Sequence, residues 1–536
     1  ELGGPVLAGR HRLVIVTGNA GDGKTAFIQK VEMDACRAGA VELQHSLNGR
    51  RLAYAGREIV TLYDGSQDEA ERASDDLLME FLMPFRAGEP DDRTIRLAAI
   101  NEGRLRDFLI GHRNQYPNLA ADVIAMLDSA QTPISNSGIT VVNLNLRSVT
   151  AAERESIFSR QVEKIVGGPF WGPCEECAYR GRCPIKHNVD TFRDSASGPA
   201  VTERLRTLVD LVRLRRRRHL TVRDVRSLIA HILFRDRACE EIPELLASDD
   251  PFAVVDVAYF QGPGGMGVPD GSTLERGAEL LAEIDVALVA NPDDDRAIAT
   301  GDGPRRMSFV DRDSDYLAEL LRIARNRAGT GYESDIPLAR RTHEALRRQS
   351  YFERADDGWR SMLPYQRLSE FKRALQPANE GSRAQLRAQL IKALSIREGM
   401  RDSKQAEVAL WLATTDPPMP DYGCYRRYAI EQFELRVALA ETPYVESEPD
   451  QLELVHLPSL AALSINIDLL EVLEHLGEGY MPSLDERSGF LVNLALFRHR
   501  LLAEPTTELM LQAENGLLRI APGALPGSVA LSEVHG

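Results

Sequence analysis

The sequence predicts an α/β core, a parallel sheet flanked by helices, with a cysteine-rich knuckle and a helical lid, followed by an α-helical region and a small α+β carboxyl-terminal domain. Three observations predict it. Residues 12–17, Arg-Leu-Val-Ile-Val-Thr, form a short β-branched apolar run of the kind buried on both faces of a parallel sheet. That run opens directly into Gly18-Asn19-Ala20-Gly21-Asp22-Gly23-Lys24-Thr25, and residues 26–33 continue with helical character. Strand-like and helix-like stretches then alternate to about residue 165.

The chain of 536 residues exceeds what one hydrophobic core organises. The expected divisions are a core at 1–165, knuckle and lid at 166–248, an irregular connection at 249–315, a helical domain at 316–416 and an α+β domain at 417–536. At 43% hydrophobic and 27% charged residues, the composition is that of an ordinary globular protein. No apolar run reaches the length of a membrane span, and no leader-like segment is read, so no membrane partner is expected. Six cysteines, three within ten positions, make no disulfide framework and predict a reducing, cytoplasmic setting. The net charge of −16 excludes general nucleic-acid binding, leaving only a local patch for such contact.

Strand, glycine loop and helix in that order are the context of a phosphate-binding loop. Gly18, Gly21 and Gly23 let the backbone bend so that the N–H groups of residues 18–25 face a β-phosphate. The following helix adds its positive end. Lys24 is placed to reach the β- and γ-phosphates of ATP, and the Thr25 hydroxyl to ligate Mg²⁺.

A small hairpin at 41–57, turned at Asn48-Gly49, precedes a strand at 57–64 that ends at Asp64. A helix is read at 70–85. The third strand, 95–100, ends at Asn101-Glu102-Gly103, with a helix starting near Arg104. The fourth, 139–146, carries Asn143 and Asn145 and leads into a helix near Ala151. Chemistry in such sheets gathers at the carboxyl ends of the strands. Glu102 is accordingly read as the group that polarises the attacking water, against the plainer reading of a first-turn carboxylate favouring the helix dipole. Asn101 stands where P-loop ATPases of the AAA+ type carry an acidic residue, which predicts slow turnover unless Asp64 supplies the charge. Asn143 or Asn145 is read as the γ-phosphate sensor, and strand parity points both the same way.

Cys174, Cys177, Cys183 and His187 have the spacing C-x2-C-x5-C-x3-H, which offers four ligands to a structural zinc ion. An iron–sulfur cluster or a metal-free turn are the other readings, and Asn188, Cys36, Cys239 or Cys424 compete with His187 as the fourth donor. Beyond it, one helix ends near Arg218 and another starts at an N-cap Thr221, with Leu220, Val222, Val225, Leu228, Ile229 and Leu233 as its apolar stripe. Arg223 and Arg226 are the lid arginines read as reaching the nucleotide. The basic run 213–218 is read either as a solvated helix end or as a DNA patch.

Residues 249–315 read as irregular with one helix at 272–284. Helices are read at 316–327, 337–348 and 385–394 within a helical stretch reaching 413. Strands follow at 432–437 and 451–455, helices at 467–476 and 484–502, and a hairpin at 508–520 turned at Asn515-Gly516.

The glycine loop, Ala99-Ile100-Asn101-Glu102-Gly103, the cysteine knuckle and Leu220-Thr221-Val222-Arg223-Asp224 together resemble P-loop, AAA+- or STAND-like ATPases of bacterial phage-defence islands. The F-type component of DNA phosphorothioation-dependent restriction systems is similar over about residues 10–240 and, more weakly, over the last hundred. The resemblance implies an ATP-driven, oligomeric component of a multi-protein system acting against foreign DNA. Two other functions stay open: a regulatory nucleotide switch with little hydrolysis, attached to an upstream effector domain, and a zinc-containing DNA-binding protein with ATP as a structural ligand.

Overall fold

The computed structural model describes residues 2–68, 72–86, 93–128, 138–151, 155–216, 219–234, 237–247, 284–300, 336–414, 423–438, 444–477, 484–513 and 516–533, with Val255, Leu281, Tyr316, Ala318 and Arg322. The chain divides into two compact units. The first comprises Glu1–Val212, Arg218–Pro364 and Leu439–Glu448; the second comprises Arg213–Arg217, Tyr365–Ala438 and Pro449–Gly536.

The first unit opens with α1 (Gly3–Leu7), β1 (Leu13–Thr17), α2 (Lys24–Arg37), β2 (Val41–Ser46), β3 (Gly49–Tyr54) and β4 (Arg57–Leu62). It continues with α3 (Ser74–Phe81), β5 (Thr94–Ile100), α4 (Glu102–Gly111), α5 (Pro117–Asp128) and β6 (Ile139–Asn143). Then come α6 (Ile157–Val166), α7 (Pro184–Arg193), α8 (Gly198–Arg216), which runs on into the second unit, α9 (Val222–Phe234), α10 (Ile242–Ala247), α11 (Pro292–Thr300) and α12 (Ile336–Glu353).

The sheet order is β2-β3-β4-β5-β1-β6. β4, β5, β1 and β6 run parallel, while β2 and β3 are antiparallel additions at one edge. All five residues of β1 are buried because helices cover both faces. Leu13 and Ile15 pack with Phe108, Leu119 and Val123, and Val14 and Val16 with Ile28, Val31 and Ile59 on the other side. Each such side chain contributes roughly 1.5–3 kcal/mol through burial. That is why the run carries no polar alternation.

The structure alters several sequence expectations. The hairpin turns at Leu47-Asn48, with Ser46 opposite Gly49, and it extends the sheet through a second tight turn at Ala55-Gly56, both at positive φ. A Cβ on Gly49 would lie 2.0 Å from the Thr61 carbonyl oxygen, so the glycine answers a close approach of β3 to β4. The fourth strand stops at Asn143, and Leu144–Leu146 turn as a 3₁₀ segment. The helix expected near Ala151 starts at Ile157, capped by the Ser156 hydroxyl. α4 starts at Glu102 rather than near Arg104, and α5 was not anticipated. Part of the stretch read as irregular is α11, because Asn291 caps it and three aspartates occupy its first turn. The helix read at 272–284 and most of that at 316–327 lie outside the described residues.

The second unit holds α13 (Leu368–Leu375), α14 (Glu380–Arg397), α15 (Ser403–Val408), β7 (Ala409–Ala413), β8 (Gly423–Ala429), β9 (Phe433–Val437) and β10 (Leu452–His456). β11 (Ala462–Ile465), α16 (Ile467–Gly477), α17 (Leu484–Ala503), β12 (Leu509–Ala513), β13 (Gly516–Pro522) and β14 (Val529–Glu533) complete it. Its two sheets, β11-β10-β9 and β14-β13-β12-β8-β7, are wholly antiparallel. β7 replaces the end of the expected helical stretch; its five residues are buried, so neither alternation nor a helical stripe marks it. Among the described residues, no helix is long and apolar enough to cross a membrane.

One buried carboxylate ties α2 to the sheet. Glu32, 2% exposed, accepts from the Thr61 hydroxyl at 2.5 Å and the Tyr63 hydroxyl at 2.8 Å, with Arg50 Nε at 3.7 Å. Burial and this bond push the Tyr63 phenol up to about 12. Replacing Glu32 by Ala removes the acceptor of the buried Thr61 hydroxyl and the half-buried Tyr63 hydroxyl and is expected to cost about 1–3 kcal/mol in denaturant unfolding, with Glu32→Gln less affected. The Tyr63 phenol ionises later in the folded chain than in the unfolded one. Its contribution is therefore complete below pH 10 and is lost as pH rises from 10 to about 12, which unfolding measured across that interval would reveal.

Candidate nucleotide site

Register brings the candidate residues together. Thr17, the last residue of β1, pairs with Ile100 on one side and Asn143 on the other. The glycine loop, Asn101-Glu102 and residues 143–145 therefore leave the sheet at one level.

Lys24 heads α2, and its ammonium donates to Gly18 O at 2.8 Å, Asn19 O at 2.9 Å and Asn101 Oδ1 at 3.0 Å. Burial lowers its pKa, against the opposing fields of Asp22 and Asp64. The Thr25 hydroxyl donates to Tyr63 O at 3.1 Å, next to Asp64. The strand end facing the loop's hydroxyl is thus that of β4, and Asp64 brings a carboxylate where Asn101 has none.

Asn48 holds that strand end. Its side chain donates to Asp64 O at 3.0 Å and accepts from Asp64 N at 2.8 Å. Ser66 N donates to Asp64 Oδ1 at 2.8 Å, and Ser66 Oγ accepts from Asn101 N at 2.8 Å. The ends of β4 and β5 are stapled as one platform.

Glu102 sits in the first turn of α4. Its Oε2 accepts from Asn143 Nδ2 at 3.1 Å and from Asn145 Nδ2 at 3.0 Å, and its Oε1 accepts from Arg106 Nε at 3.1 Å. Both amides meet the same oxygen, though not by strand parity. Asn143 Oδ1 accepts from Asn145 N at 3.0 Å, turning the chain so that the two side chains converge. Among the described residues, Asn145 Oδ1 is buried with no hydrogen-bond partner.

The side chain of Asp22 points inward and is 1% exposed. Its carboxylate accepts from Asn19 N at 2.6 Å and from His219 Nε2 at 2.6 Å. Arg147 donates to Asp22 O at 2.9 Å, with burial lowering its pKa. Asp22 therefore braces the loop from within, and His219 and Arg147, which sequence reading missed, hold the brace. An acidic residue inside a glycine loop was the only signal for them.

α9 reaches the same loop. Thr221 caps it reciprocally, Thr221 Oγ1 accepting from Asp224 N at 3.1 Å and Asp224 Oδ2 from Thr221 N at 2.9 Å. Arg223 N donates to Gly21 O at 3.3 Å, and the Arg223 side chain is exposed beside the loop. Arg226 is exposed on the same helix. Ala20 and Asn19 are exposed at the loop tip, and Gly23 precedes α2 in a left-handed conformation.

Other candidates lie elsewhere. Within the second unit, Arg213 donates to Pro449 O at 3.2 Å and Arg215 to Asp468 Oδ1 at 3.0 Å while stacking over Tyr365, so both are committed internally. His187 Nε2 meets Glu353 Oε1 at 2.8 Å in a buried pair, and its ring packs on Tyr316. Among the described residues no three His, Cys, Asp or Glu side chains stand close enough to hold a metal ion, so Cys174, Cys177, Cys183 and His187 are not gathered as a set. Comparison with known protein families, curated proteins and solved structures finds no match.

Gly21 has φ +98°, and a Cβ there would lie 2.7 Å from Arg223 Cβ. Gly21→Ala is expected to cost about 1–3 kcal/mol, read by thermal or denaturant unfolding, whereas Ala20→Ser at the exposed tip is expected to be neutral.

Proposed function

We propose that the glycine loop binds ATP with Mg²⁺ and that the surrounding site hydrolyses it. The observation that carries this reading is the meeting of Lys24, Asn101, Glu102 and the amides of Asn143 and Asn145 at the flush ends of β1, β5 and β6. Backbone N–H groups of residues 18–25 and the amino end of α2 would attract the phosphates, with Lys24 exchanging its neutral acceptors for phosphate oxygens. Thr25 and Asp64 are the residues that would hold Mg²⁺, which when bound supplies Lewis-acid charge at the phosphates. Glu102, oriented by three donors, takes the role of general base toward water. Arg223 is the lid residue best placed to add positive charge.

A specific feature also supports the slow-switch reading. Glu102 Oε2 already accepts two hydrogen bonds, and an acceptor so engaged is a weak base until one donor leaves. On the resemblance to phage-defence ATPases, the wider role we propose is an oligomeric ATPase that couples nucleotide state to partner proteins and DNA of a restriction-type system.

The test is steady-state ATP hydrolysis and nucleotide affinity, with and without DNA. Lys24→Ala is expected to weaken ATP binding by about two orders of magnitude or more, the loss of a charge-assisted phosphate contact. Glu102→Gln is expected to retain ATP while slowing turnover about 10²–10⁴-fold. Measurable binding with no hydrolysis in the parent chain would leave the switch reading standing, and absent binding would remove both.

A further inference from the structure

The histidine of the cysteine segment, His187, is turned into a buried pair with Glu353. Residues Pro169–Glu175 form a 3₁₀ turn, and Cys177 N returns to Cys174 O at 3.4 Å, which sets these two side chains on one tight bend. Cys183 is buried at the N-cap of α7, beside the first-turn backbone N–H groups, with no side-chain cap hydrogen bond. Such N–H donors stabilise thiolate at a helix start. His187, one turn into α7, points away into the buried pair with Glu353.

α9 brings the other partner. Trp171 stacks on Phe234, the last residue of α9, with centroids 5.5 Å apart and planes 11° from parallel. Asn188 Nδ2 donates to the carbonyls of Ile232 and Leu233, both at 3.3 Å. These contacts pin the carboxyl end of α9 onto the cysteine segment, and five residues later Cys239 opens the 3₁₀ turn Cys239–Glu241. The thiol of Cys239 lies within electrostatic range of both Cys174 and Cys183, as Cys174 does of Cys177. Lys186, 3.3 Å from Glu175, adds positive charge to the same corner.

From this placement we infer that Cys174, Cys177, Cys183 and Cys239 form a four-thiolate site for a thiophilic metal centre, with Cys239 as the fourth ligand and His187 outside the set. The sulfurs do not yet stand at ligating distance. Cys174 and Cys177 are half-buried on one turn, Cys239 is exposed on another, and Cys183 is buried at the start of α7. Four protein ligands leave no open position, so the centre is structural, fastening the end of α9 to the turn that precedes α7. The inference is independent of the nucleotide reading.

The test is elemental analysis for zinc and iron on the full chain, purified without chelator. The expected result is stoichiometric metal in the parent and in His187→Gln, with at least a tenfold lower metal content in Cys239→Ser and no change in Cys424→Ser. Zinc and an iron–sulfur cluster both satisfy the inference, and iron would announce itself by visible charge-transfer absorption. Should Cys239→Ser fail to fold, X-ray absorption on the parent decides. A shell of sulfur alone, near 2.3 Å for zinc, supports the site, while a nitrogen at about 2.0 Å restores the histidine and overturns it. A parent chain that holds no metal even after anaerobic reconstitution with zinc or with iron and sulfide overturns it as well.

Discussion

The first unit is organised by the parallel pairing of β1 with β5 and β6. Parallel strands cannot be joined by tight turns, so each crossover carries a helix, and the helices cover both faces of the sheet. The same pairing makes three chain segments emerge together beyond Thr17, Ile100 and Asn143. Lys24 can touch Asn101, seventy-seven residues away, only because β5 is the neighbour of β1. A one-residue slip in either pairing would send Glu102 or Asn143 to the opposite face. The site is thus a consequence of apolar burial along β1, although no residue of β1 itself performs chemistry there.

A second tier of contacts converts those flush ends into a shaped surface. The edge hairpin returns Asn48 to the end of β4, where it grips the backbone of Asp64 through both halves of its amide. Glu32 joins α2 to Thr61 and Tyr63 of the same region, so the helix behind the glycine loop and the strand carrying Asp64 move as one body. Asp22 does the corresponding work inside the loop, with His219 arriving from just before α9. Loop, strand ends and α9 are joined by polar bonds in addition to the apolar packing beneath them. Such bonds are directional and costly to break, which suits a surface that must keep its geometry.

What could be read from the sequence follows the strength of local signals. β1, the glycine loop, β5 and the capped start of α9 were legible because each carries a pattern with a mechanism: an apolar run, backbone-permissive glycines, or a Thr-x-x-Asp cap. The end of β6 was not, since residues 144–146 alternate as a strand would, and only Asn143 accepting from the Asn145 backbone shows that the chain turns. His219 and Arg147 were illegible for another reason. Their importance depends on a partner more than seventy residues away, and an isolated histidine or arginine carries no mark of one. The arginine run shows the opposite failure, in which a conspicuous local pattern has two members consumed by internal contacts.

The amide at position 101 then acquires a physical rationale that motif matching obscured. Lys24 has three N–H donors, and all three rest on neutral acceptors: two carbonyls and the Asn101 amide oxygen. An aspartate in place of Asn101 would hold the ammonium in an ion pair, and an incoming phosphate would have to break it. On the proposed reading, exchanging these neutral acceptors for phosphate oxygens would turn ion–dipole hydrogen bonds into ion-pair ones, which favours the ligand. A carboxylate lies instead at Asp64, one strand further out beside the Thr25 anchor, and its field adds to that of Asp22 in opposing the lowering of the Lys24 pKa by burial. On the proposed reading, separating the lysine's partner from the acidic residue would let Lys24 exchange its acceptors for phosphate oxygens without first breaking an ion pair.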